Sequence, residues 1–103
     1  MKLAAMDYKD PTSFVSKLRD ERWRLFVEHF PDLAELHVID LGGVVRRWLG
    51  RTPSPASLTV VNLTAAHAKT DRLPMPDHFR FVAWDVREPP PAEVTSRTYD
   101  LVH

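Results

Sequence analysis

Asp40, Asn62 and Asp85 each follow a short apolar run, and they lie 22 and 23 residues apart. Two carboxylates and an amide at that spacing suit recognition of a polar small molecule. A carboxylate accepts hydrogen bonds with charge assistance, and an amide both donates and accepts. Gly42 and Gly43 come just after Asp40. Paired glycines let the backbone turn sharply and approach a ligand closely. A helix starting beyond them would aim its free N–H groups back at the turn. The chemistry implied is the holding of a nucleotide-like cofactor. Asn62 falls where dinucleotide folds carry an acid that binds ribose hydroxyls. Taken singly, each of the three polar residues also reads as a plain strand-end cap, a common place for Asp and Asn. No residue is assigned a catalytic role. Tyr99 reads as a strand residue, because no partner for proton transfer accompanies it.

The elements that must position these residues are legible from their patterns. Leu36–Leu41, Leu58–Leu63 and Phe79–Trp84 read as strands, and Tyr99–His103 begins a fourth. Apolar runs without alternation suit strands covered on both faces. Strands recur about every 20 residues with crossovers between them, which favours parallel strands and right-handed connections. In such a sheet the carboxyl ends share one rim, and ligands bind there. The expected fold class is α/β: an incomplete Rossmann-like, doubly wound parallel sheet of about four strands, order 3-2-1-4, with an N-terminal helix. Residues 1–10 read as a flexible leader and 11–103 as one partial domain.

Asp10 can cap that helix, Pro11 suits its first turn, and Pro31 ends it. Phe14, Leu18, Phe26 and Phe30 form its expected apolar stripe, with Val15 and Leu25 beside it and Trp23 and Val27 flanking. Val44–Leu49 reads as a short helix stopped by Gly50. Thr64–Thr70 reads as a weak helical turn or two, and Leu73–Asp77 as an irregular connector. Glu88–Pro91 reads as a stiff spacer, and Ala92–Thr98 as a short helical turn.

Fourteen basic and fourteen acidic residues give a net charge of zero, and there is no cysteine. The balance offers no basic excess for nucleic acid; Arg46, Arg47 and Arg51 read as a solvated face. Thiol chemistry and disulfides are excluded. The five histidines show no zinc-type spacing. No apolar run approaches a membrane span and no signal peptide is visible, so a cytoplasmic protein is expected.

In order and spacing these segments resemble the class I S-adenosylmethionine-dependent methyltransferases. Val38-Ile39-Asp40-Leu41-Gly42-Gly43 looks like the family's first strand and glycine loop. Val60-Val61-Asn62-Leu63 looks like its second strand, and Phe81-Val82-Ala83-Trp84-Asp85-Val86 like its third. Tyr99-Asp100-Leu101-Val102 resembles the opening of its fourth. The resemblance runs from about residue 11 and is nearest to members whose loop reads D-L-G-G before a short helix with a Trp, here Trp48. It implies S-adenosylmethionine as cofactor, with Asp40, Gly42, Gly43, Asn62 and Asp85 as the binding residues. Asp85 would face the adenine amino group. The usual loop is D-x-G-x-G-x-G, whereas this one keeps a glycine pair, and Asn62 replaces the usual ribose-binding acid. The family normally has a seven-stranded sheet, so the resemblance implies a truncated, cofactor-binding half without acceptor chemistry of its own.

Two other readings belong beside it. A non-catalytic α/β module could self-associate through its fourth strand, an edge in the order 3-2-1-4. A nicotinamide-binding domain is the other, though the loop lacks G-x-G-x-x-G.

Overall fold

The computed structural model describes residues 14–63 and 74–103. The expected leader, the Asp10–Pro11 helix start, the Thr64–Thr70 turn and Leu73 lie outside them. The chain divides into two compact units, Met1–Pro31 and Asp32–His103.

In the first unit, helix α1 spans Phe14–His29. Arg24 binds Glu21 and Glu28, three and four positions away, as neighbours on one helical face do. The His29 ring meets the Leu25 carbonyl at 3.0 Å near the helix C-terminus. Trp23, Phe26 and Phe30 meet in sequence as tilted ring pairs, with centroids 5.6 and 5.2 Å apart. The predicted stripe needs correction. Phe14, Leu18 and Leu25 are exposed, at 56, 42 and 43%, whereas Val15, Trp23, Phe26, Val27 and Phe30 are half-buried. A strict step of four drifts around a 3.6-residue helix, so Phe14 and Phe30 point ~160° apart. Val15 and Phe30 differ by only ~60°.

The second unit is an α/β fold built on a four-stranded, all-parallel sheet of order β3-β2-β1-β4. The strands are β1 His37–Leu41, β2 Ser57–Asn62, β3 Phe79–Ala83 and β4 Leu101–Val102. Each lies within about one residue of its expected start except the last, which is shorter. Their composition explains the pairing. Val38, Leu58, Val60 and Val61 are fully buried, so both faces of the centre are covered. Each such side chain contributes ~1.5–3 kcal/mol on burial. Ile39, Val61, Val82 and Val94 make one cluster, with Trp84 and Tyr99 against it. Val94 comes from the single-turn helix α2, Ala92–Thr95, as expected of that segment. The Tyr99 hydroxyl donates to the Val94 carbonyl at 3.0 Å.

Asp100 fixes where β4 begins. Its carboxylate accepts the His37 N–H at 2.8 Å, and its own N–H donates to the His37 carbonyl at 2.8 Å. The expected helix at Val44–Leu49 is a correction: only a 3-10 turn forms, Val45–Arg47. The β-branched pair Val44-Val45 disfavours a helix start, and Val44 is itself extended. Gly50 still ends the turn, with φ +72°.

Candidate functional site

The turn after β1 is held from below by β2. The Gly42 N–H donates to the Val61 carbonyl at 2.7 Å. Gly42 has φ +82°, a conformation that suits glycine. The Asn62 amide then donates to the Gly42 carbonyl at 3.2 Å and the Gly43 carbonyl at 2.8 Å. Its oxygen accepts the Leu63 N–H at 2.8 Å.

Asp40 lies beneath the same turn, with its side chain 7% exposed. A buried carboxylate is costly unless donors meet it. The Trp48 indole N–H supplies one at 2.8 Å, and the His103 ring Nδ1 lies 3.2 Å from the other oxygen. The Trp48 and His103 rings meet edge to face at 5.6 Å. Gly43 packs directly on this carboxylate: a Cβ there would fall 1.8 Å from Asp40 Oδ2. Gly43 is thus required by close approach, and Gly42 by its backbone angle.

Asp85 sits just past β3. Arg87 grips it through its guanidinium, at 2.6 Å from Nη2 to Oδ2, and through its backbone N–H at 3.0 Å. Those bonds, the side-chain ones foremost, hold the Asp85 carboxyl below the usual carboxylate range.

Three strand tips bound an open cleft of about 240 Å³. Leu41 and Gly42 come from β1, Val61, Asn62 and Leu63 from β2, and Trp84, Asp85 and Val86 from beyond β3. Its walls are mainly apolar, and Leu63 and Val86 are more than half exposed there. The cleft lies at the carboxyl ends of parallel strands, where open α/β sheets bind ligands. Gly42, Asn62 and Asp85 therefore line one cavity. Asp40 and Gly43 share the rim but do not line the cleft; they support its turn.

Trp84, Leu63 and Val86 as cleft walls, and Arg87 and His103 as partners of the acids, were missed from the sequence. Arg87 carries one usable signal, a base two residues after an acid. His103 carries none, because only the sheet order brings it beside Asp40.

Among the described residues no group of three or more acidic or histidine side chains could hold a metal ion. No helix among them is long and apolar enough to cross a membrane. Set against protein-family models, curated proteins and solved structures, the chain matches none.

Proposed function

We propose that the rim holds the adenosine part of S-adenosylmethionine, and that the chain is the cofactor-binding portion of a class I methyltransferase. The observation that carries this reading is the cleft itself. Gly42, Asn62 and Asp85, from three consecutive strands, line a single apolar-walled cavity at the carboxyl edge of a parallel sheet. At about 240 Å³ it is smaller than the ~300–1,000 Å³ of typical small-molecule pockets. It accommodates a fragment such as a nucleoside, with the rest of the ligand lying across the glycine turn. Leu63, Val86 and Trp84 offer apolar contact to a base. Arg87 fills about four acceptor positions of Asp85 through its backbone N–H, Nε and Nη2, so an exocyclic amine would be accepted there in place of one of these bonds.

Methyl transfer needs an acceptor held in line with the sulfonium carbon. No described residue is placed to do that, so the reading covers the donor's side of the reaction and predicts no transfer by this chain alone. Calorimetric titration with S-adenosylhomocysteine tests it. Binding is expected in the native chain and is expected to be lost in Asp85→Ala. A folded chain that releases no heat refutes the reading.

The edge position of β4 favours a second reading, a self-associating module. Val102 is 63% exposed on that edge, and strand edges with unpaired groups invite pairing with another chain. Light scattering at micromolar concentration separates the two: a monodisperse monomer removes the second.

A further inference from the structure

Asn62 stands where an acid would grip the ribose, yet its amide nitrogen and one lone pair of its oxygen are taken up by its own fold. We infer that Asn62 is a positioning residue for the glycine turn, and that the cleft takes an adenine nucleoside with little dependence on its sugar hydroxyls. This deepens the reading above and rests on it for the ligand.

The amide orientation is fixed by three contacts. Both N–H donors point at backbone carbonyls, those of Gly42 and Gly43. The oxygen accepts the Leu63 N–H. A flipped amide would set oxygen against two carbonyls and NH₂ against an N–H, so the opposite assignment is excluded by chemistry. An ionised acid at this position has no donor at all and would face both carbonyls with negative charge. The residue type thus follows from the turn, which has two carbonyls to satisfy.

The consequence for recognition is direct. No charged acceptor stands at the tip of β2; the amide has no donor left to offer a diol, and its oxygen keeps one uncharged lone pair, a weaker partner for a hydroxyl than a carboxylate. The carboxylate lining the cleft, Asp85, is already gripped by Arg87 through both of its oxygens. Leu63, Val86 and Trp84 supply apolar contact, which reads the base and not the sugar. A site built to bind a hydroxyl rejects the analogue lacking it by several orders of magnitude; one not so built does not.

Asn62→Asp gives opposite signs under the two roles. As a turn clamp, the change lowers the melting midpoint by about 5 °C or more, beyond the fall in Asn62→Ala, and weakens S-adenosylhomocysteine about ten-fold or more. As a ribose ligand, it leaves the midpoint unchanged and tightens binding through a charge-assisted bond. Should Asn62→Asp not fold, Asn62→Ala carries the stability comparison, with a midpoint below the native chain expected. Adenosine and 2′-deoxyadenosine, titrated into the native chain, are expected to agree within about three-fold. A deoxy penalty above about ten-fold, tighter binding by Asn62→Asp, or an unmoved midpoint in either variant overturns the inference. If no nucleoside binds the native chain, the functional reading fails, and the clamp stands or falls on the melting comparison alone.

Discussion

Gly43→Ala tests the packing under the turn most sharply. The added Cβ would sit 1.8 Å from Asp40 Oδ2, 2.3 Å from its Cγ and 2.7 Å from Oδ1. Ordinary contact lies near ~3.5 Å, so the carboxylate must retreat by on the order of 1–2 Å. It cannot do so and keep the Trp48 indole N–H at 2.8 Å. Trp48 is 4% exposed, so its donor would be stranded away from water. An unsatisfied buried donor costs ~1–3 kcal/mol, and forced overpacking ~1–3 kcal/mol more. Loss of backbone freedom in the unfolded chain offsets ~0.4–1 kcal/mol. The net destabilisation is then about 1–5.5 kcal/mol, enough to lower the melting midpoint by at least ~4 °C in a chain of this size. Gly42→Ala has open space around its Cβ and only the φ +82° strain, so ~1–2 kcal/mol is expected. Urea unfolding followed by tryptophan fluorescence measures both. The decisive step is a double-mutant cycle. In an Asp40→Ala background the colliding carboxylate is gone, and Gly43→Ala should cost less than ~1 kcal/mol, so that most of its cost in the native chain appears as coupling. Additivity within ~0.5 kcal/mol, or a Gly43→Ala cost no larger than that of Gly42→Ala, refutes the reasoning.

Trp48→Phe keeps an aromatic group but removes the N–H that meets Asp40 and part of a buried side chain, so a loss of at least ~1–3 kcal/mol is expected in the same urea assay; no loss would mean the bond contributes nothing. The Asp85 carboxyl should titrate below the ordinary ~3.9 by NMR and move up in Arg87→Ala, since Arg87 favours its charged form. Because its folded value is the lower one, the pair's contribution is present above ~3.9 and disappears as pH falls through the depressed value; an unchanged midpoint in Arg87→Ala contradicts the pairing. Val102→Lys places a charge on the exposed edge of β4, so any concentration-dependent association by sedimentation should weaken, and association that persists unchanged uses another surface.

The sequence by itself determined the number, parallel class and approximate bounds of the strands. Runs such as Val38-Ile39 and Leu58-Thr59-Val60-Val61 are apolar on both faces, and only a sheet covered on both sides buries them. It also placed Gly42, Asn62 and Asp85 at strand ends, because glycine and short polar side chains mark the place where a strand stops pairing. Two readings of local pattern failed for local reasons. Val44–Leu49 has the spacing of a helix, yet its β-branched start gives a single 3-10 turn. The stripe on α1 followed steps of four, whereas a helix turns every 3.6 residues. What only the tertiary structure decided is which partner each polar group finds. Asp40 and His103 are 63 residues apart in the chain and become neighbours because β4 pairs with β1. Asn62 gives its hydrogen bonds to the turn because β2 runs beside β1 in a register that sets its amide under Gly42 and Gly43. Hydrogen bonds are short and directional, so their choice depends on distances that a linear pattern does not contain.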